Sequence, residues 1–147
     1  MKITICGSIA YIDKMYEVRS ELEKLDHIVK VPPIELAGED GKMKPSLEFY
    51  NQRKNDLGDN GWIWDLKEKA IIAHFDKVAW SNAVLILNYD KNGISGYIGG
   101  NTFLEIGVAF YLKKRIYFLN NIPEMDYKEE LIGMKPIVIN GDLEKIK

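Results

Sequence analysis

Apolar residues along this chain recur in two periods, and the switching between them lays out alternating strands and helices. Ile3-Thr4-Ile5-Cys6 is short, apolar and β-branched and stops at Gly7-Ser8, which predicts a buried strand and a glycine turn. Ile12, Met15, Val18, Leu22 and Leu25 then recur at helical spacing with charged residues opposite, predicting an amphipathic helix over 12–25. Residues 27–31 predict a second strand, closed by Pro32-Pro33. A helix of this length between two strands implies a right-handed parallel crossover. Residues 34–61 differ: Gly38, Gly41, Pro45, Gly58 and Gly61 are mixed with charges, and only 46–56 reads as a weak helix. A stretch so long with little structure of its own is uncommon except as a lid or a disordered segment, so a lid-like excursion is expected.

The periodicity strengthens again over 62–80, a helix with Ile63, Leu66, Ala70, Ala73 and Val78 on its buried face. Ala83-Val84-Leu85-Ile86-Leu87 is a continuous apolar run, the mark of a central parallel strand covered on both faces. Asn88-Tyr89-Asp90 end it, and a loop with Gly93, Gly96, Gly99 and Gly100 follows. The helix over 102–114 is apolar nearly all round, so deep burial is expected, with Lys113-Lys114-Arg115 suiting the negative end of its dipole. A strand at 115–119, a helix at 127–133 and a strand at 136–139 complete the chain. The expectation is one α/β domain over 1–147: a doubly wound, mostly parallel, five-stranded open sheet with helices on both faces, Rossmann/flavodoxin-like. Ligands then belong outside the carboxyl ends of the strands.

Composition narrows the function classes. The chain has 147 residues, 46% hydrophobic and 29% charged, which is ordinary for a globular domain. A net charge of −2 argues against a protein that grips a nucleic-acid backbone through a basic surface. The N-terminal apolar stretch is too short for a signal peptide, and no run nears the roughly 20 apolar residues of a membrane span. A soluble, cytoplasmic protein without membrane partners is expected. Cys6 is the single cysteine and lies in an apolar run, so a buried structural thiol is expected rather than a reactive one. With two histidines and one cysteine, the sequence contains no metal-ligand spacing.

Two places could carry chemistry. The turn Cys6-Gly7-Ser8-Ile9 offers close backbone approach and a helix start to an anion, although it lacks a dinucleotide fingerprint and a P-loop lysine. A plain turn with Ser8 as a cap explains it equally well. Glu105 is set among Val108, Ala109 and Leu112 on its helix, and a carboxylate among apolar side chains is costly unless partnered or kept for chemistry. Thr102-x-x-Glu105 also fits a capping box, so both readings stand. Gly107 hints at close packing beside it. Asp90 could hold a sugar hydroxyl, act as an acid, or cap a turn. Asn88, Tyr89, Tyr97, Gly99, Gly100 and Asn101 lie in the same loop region. His74 suits either a satisfied core position or proton transfer, and Trp62 and Trp64 suit either packing or stacking on a base.

At these residues the chain resembles the nucleoside 2-deoxyribosyltransferase-like family, which includes the 2′-deoxynucleoside 5′-phosphate N-hydrolases. The likeness lies in the opening strand ending Cys6-Gly7-Ser8-Ile9, and in the glycine loop leading to Leu104-Glu105-Ile106-Gly107-Val108-Ala109 before Ile116-Tyr117-Phe118-Leu119. The resemblance implies cleavage or transfer of the N-glycosidic bond of a (deoxy)nucleoside or nucleoside 5′-monophosphate, with Glu105 as nucleophile attacking C1′ and a glycosyl-enzyme intermediate. It implies Gly7, Ser8 and Ile9 at the sugar-phosphate end, no cofactor, and a homodimer or higher homo-oligomer built on helices 62–80 and 102–114. The chain departs from the family pattern at Thr4, where an orienting tyrosine is usual. It departs at Ile9 in place of a phosphate-binding arginine, near Gly99 in place of a serine, and at His74 in place of an aspartate. His74 is then the residue expected to supply the acid. The alternative is a non-catalytic nucleotide-binding or signalling module on the same fold.

Overall fold

The computed structural model describes residues 1–147. The first strand, β1 (Lys2–Gly7), leads through a short 3-10 turn (Ile9–Tyr11) into α1 (Ile12–Lys24), and β2 (Ile28–Lys30) follows. The excursion holds an antiparallel hairpin, β3 (Glu35–Ala37) with β4 (Met43–Pro45), and then α2 (Ser46–Asn55). The long helix α3 (Gly61–Trp80) precedes the fully buried β5 (Ala83–Leu87) and α4 (Gly100–Tyr111). The chain ends with β6 (Arg115–Phe118), α5 (Lys128–Gly133), β7 (Ile137–Val138) and a 3-10 turn.

The main sheet is five-stranded and parallel throughout, in the order β2-β1-β5-β6-β7. The expected doubly wound α/β architecture is what forms. Strand order reverses between β1 and β5, and that pair opens the crevice where such sheets take ligands. Side chains alternate between faces. Ile3, Ile5, Leu85 and Leu87 pack in one core with Met15 and Leu22 of α1, whereas Cys6, Val84 and Ile86 face the core of Val78, Ile106 and Ala109 from α3 and α4. Gly7 lets the chain pass close at the crevice, since a Cβ there would lie 3.2 Å from both the Leu87 carbonyl and the Met15 methyl, a tight fit that the neighbours would have to yield to.

Four expectations change. The hairpin β3–β4 was not foreseen within the excursion, which Ser46 ties to the body by donating to the Pro33 carbonyl at 2.5 Å. On α3, Ile63 and Val78 are buried as expected, but Leu66, Ala70 and Ala73 border an open cleft, the small alanines leaving room beside the helix. Helix α4 stops at Tyr111, so Lys113 and Lys114 lie beyond it; Lys113 adopts φ 56° and Lys114 donates to Ala79 at the end of α3. The same helix is not deeply buried all round. Leu104, Phe110 and Tyr111 are exposed, and a Cβ at Gly107 would meet nothing within 4 Å, so Gly107 does not mark close packing. No helix is long and apolar enough to cross a membrane.

Candidate active site

Helix α4 fixes Glu105 through its periodicity. Thr102, Glu105, Ile106 and Ala109 form the buried stripe at helical spacing, so the carboxylate is carried inward with the apolar residues. The capping-box reading fails on register: Gly99 is the N-cap, and Phe103 N–H bonds to its carbonyl at 2.9 Å. Thr102 is therefore already inside the helix, and Glu105 lies beyond reach of the helix start. Glu105 is 3% exposed. Asn101 Nδ2 donates to its Oε1 at 2.6 Å, and Lys67 Nζ donates to Asn101 Oδ1 at 3.1 Å. The second oxygen, Oε2, has no hydrogen-bond partner.

Two more buried groups meet it there. His74 belongs to the inward stripe of α3 with Ile63 and Val78. Thr4, at the place of the expected tyrosine, holds that helix by donating to the Lys77 carbonyl at 2.7 Å. His74 Nε2 lies 3.8 Å from Glu105 Oε2 and 3.5 Å from Cys6 Sγ, while its Nδ1 also lacks a partner. Cys6, buried as expected, comes from the face of β1 that α3 and α4 cover. Each group is perturbed by the loss of water. Burial raises the Glu105 carboxyl to about 8 against the pull of Cys6, Lys67, Asn101 and Lys77. Burial lowers His74 to about 4, with Lys77 and Lys67 adding to it and the Ile5 main chain opposing it. Burial and the neighbouring Glu105 push the Cys6 thiol well above its usual value.

Glu105 and His74 form part of the wall of a cleft of about 250 Å³. Gly7 and Ile9 border it from the end of β1, Asn101 from α4, Leu66, Ala70, Ala73 and Lys77 from α3, Pro32 and Pro33 from the segment after β2, and Leu36 and Arg53 from the excursion. Glu105 is the one carboxylate among the lining residues, against the cations Arg53, Lys67, Lys69 and Lys77. Arg53 is half-buried with no acidic neighbour, and burial works against its charge. Of the residues singled out in the sequence, Glu105, His74, Asn101, Gly7 and Ile9 are thus gathered around one cavity.

The others lie at its rim or away from it. Ser8, Tyr89, Tyr97 and Gly99 border a shallow depression beside Gly7. There Lys91 Nζ donates to Ser8 Oγ at 3.0 Å and to the Tyr50 hydroxyl at 2.6 Å, fastening α2 to the first turn. Ser8 also accepts from Ala10 N–H at 3.3 Å, so the cap reading of Ser8 holds. Burial favours the neutral Tyr50 phenol, but hydrogen bonds from Lys91, Ser8 and Lys54 bring it down to about 8. Gly100 opens α4 without lining the cavity. Asp90 is turned outward, accepting from Gly96 N–H at 2.9 Å and Ser95 Oγ at 3.2 Å, as a turn cap does. Trp62 packs on Phe49 with ring centres 6.0 Å apart, and Trp64 donates to Asp56, so both anchor the excursion. Sequence reasoning missed Arg53, Lys67 and Lys91; Arg53 and Lys91 stand in polar segments where a lysine or arginine carries no positional signal.

No protein-family model matches the sequence, and no curated protein sequence matches it at a significant level. Among solved structures, the chain is similar to a 2-deoxyribosyltransferase from Bacillus psychrosaccharolyticus, at 14% identity and a TM-score of 0.46, over 80% of this chain and 71% of that one. It is similar as well to the CMP N-glycosidase of Clostridium botulinum, at 13% identity and a TM-score of 0.49, over 94% of this chain and 85% of that one. The fold class stands on the sheet order described above rather than on these likenesses.

Proposed function

We propose that the protein cleaves or transfers the N-glycosidic bond of a nucleotide, with Glu105 as nucleophile. One observation carries this reading: a buried glutamate in a cleft wall, with one oxygen held by Asn101 at 2.6 Å and the other without a close hydrogen bond, facing only the Cys6 thiol and the His74 imidazole. A carboxylate kept for structure has both oxygens satisfied. Burial favours a protonated Glu105 and a neutral His74 at neutral pH, and the carboxylate is the stronger base of the two, so the nucleophilic carboxylate forms by losing its proton to water in the cleft as pH rises toward 8.

Oε2 then attacks C1′, the C1′–N bond breaks with its electron pair going to the base, and a glycosyl ester forms on Glu105. Water or a second base attacks C1′ from the vacated face and frees the carboxylate, giving retention. The base leaves from the face opposite Glu105, and His74 stands beside the nucleophilic oxygen. We therefore assign His74 to positioning the nucleophilic carboxylate as a neutral imidazole, in place of protonating the leaving base as the sequence suggested. Asp90, engaged at its own turn, is given no part.

The cations around the cleft favour a nucleoside 5′-monophosphate over a free nucleoside, with the unneutralised Arg53 as the phosphate partner. Release of free base from a panel of nucleosides and nucleotides, followed chromatographically, tests the reading. Glu105→Gln should abolish release with the fold intact, and an unchanged rate would overturn the assignment. A second reading, a non-catalytic nucleotide-binding module, draws on the same proton, because a protonated Glu105 can donate to a ribose hydroxyl. Thermal stabilisation by nucleotides without any free base would favour it. Self-association through the exposed apolar side of α4 at Leu104, Phe110 and Tyr111 is also expected, and a monomer in sedimentation would count against it.

A further inference from the structure

We infer that Cys6, His74 and Glu105 form a binding site for a zinc-class divalent cation, whose occupancy silences the nucleophile. The three side chains come from β1, α3 and α4, are all buried, and bring their ligand atoms within 4.8 Å of one another. Their spacing matches a tetrahedral ion. Bond lengths of about 2.3 Å to sulfur and about 2.0–2.2 Å to nitrogen and oxygen set S and N about 3.6 Å apart and N and O about 3.4 Å apart. The protein holds Sγ and Nε2 at 3.5 Å and Nε2 and Oε2 at 3.8 Å, close to those separations, with every pair of ligand atoms within 4.8 Å, so side-chain rotation closes the set around an ion.

Two further features point to a ligand. Glu105 Oε2 is buried without a hydrogen bond and faces the cluster, which is the condition of a ligand atom awaiting its ion. Charge also balances: a thiolate, a carboxylate and a neutral imidazole around a dication bury no net charge. Three protein ligands leave a fourth position for water, and two of the three, His74 and Glu105, line the cleft through which an ion would enter. Glu105 Oε1 keeps its bond from Asn101, which orients the carboxylate as an outer-shell partner does. Softness selects the ion: thiolate and imidazole favour zinc or cobalt over magnesium or calcium.

With the ion in place, Oε2 is coordinated, its electron density is drawn to the metal, and its attack on C1′ is suppressed. This inhibitory consequence rests on the nucleophile reading; the binding itself does not. Titration of the chelator-treated full chain with cobalt(II) should give one ion per chain and a thiolate-to-cobalt charge-transfer band, both displaced by zinc. Cys6→Ser should remove that band, and Cys6→Ser and Glu105→Gln should each weaken binding by at least about tenfold. The glutamine variant is close in shape, so it keeps the test open if the serine variant does not fold. Absence of saturable binding, or a cobalt spectrum unchanged in Cys6→Ser, would overturn the site. One equivalent of zinc should suppress base release and a chelator should restore it, whereas full activity in the zinc-loaded protein would overturn the inhibition. Failure of the two readings is distinguishable: metal bound with no base release by the chelated protein sinks the nucleophile alone, and base release with no metal bound sinks the metal site alone.

Discussion

Two polar clusters flank the carboxyl ends of β1 and β5, and they are built on opposite terms. At the outer one, Asn88 is 1% exposed and fully engaged: its amide donates to the Asn120 and Asn121 carbonyls at 3.1 and 2.9 Å and accepts from Asn120 N–H at 2.9 Å. Asp90 beside it is satisfied by Ser95 and Gly96. At the inner one, Cys6, His74 and Glu105 are equally dry, yet Glu105 Oε2 and His74 Nδ1 have no partner. A saturated cluster holds a loop in place. An unsaturated one stores a cost that a substrate, a proton transfer or an ion can relieve.

Perturbing the inner cluster should therefore show in chemistry and in pH response, and perturbing the outer one in stability. The largest effect is expected from Glu105→Gln, which should lower base release by at least about a thousandfold with unfolding still cooperative. Asn88→Ala comes next. Stranding the Asn120 N–H and two carbonyls should cost about 2 kcal/mol in urea unfolding while leaving Glu105 and the cleft untouched.

The third effect is a pH dependence. Glu105 has a folded pKa of about 8, above its usual 4.5, so the folded form binds more protons between those values and stability falls as pH rises through them. His74 has a folded pKa of about 4, below 6.5, so its term raises stability with pH from 4 to 6.5 and then ends. From pH 6.5 to 8 the Glu105 term dominates, and the lowered Tyr50 phenol begins to offset it only as pH nears 8. Stability should drop there by up to about 2 kcal/mol in the wild type and stay level in Glu105→Gln. Base release, which needs the carboxylate, should instead climb with pH toward 8; a falling rate would assign Glu105 as a proton donor. The smallest effect is that of Arg53→Ala, expected to raise KM for phosphorylated substrates about tenfold with kcat and stability little changed.

The sequence carried the frame further than the site. Continuous apolar runs located β1 and β5, and helical spacing located α1 and α3, because those elements owe their form to burial. The hairpin β3–β4 has three-residue strands among charges, too short for alternation to register. The outer side of α4 looked buried because it is apolar, and apolarity alone does not say whether a partner lies in the same chain. Glu105 was legible as an oddity in an apolar stripe. Its company was legible only in part: the family resemblance named His74 for the same reaction, but Cys6 was read as a structural thiol, and with separations of 68 and 31 positions only the facing of β1 toward α3 and α4 unites the three.

The most direct test of Glu105 as nucleophile is to trap the intermediate. The chelator-treated protein is mixed with nucleoside and 2′-deoxynucleoside 5′-monophosphates, quenched in acid during turnover, and read by peptide mass spectrometry. The expected result is a sugar-phosphate adduct on the peptide carrying Glu105, lost in Glu105→Gln together with base release. Base release that persists in Glu105→Gln, or an adduct on another residue, would contradict it.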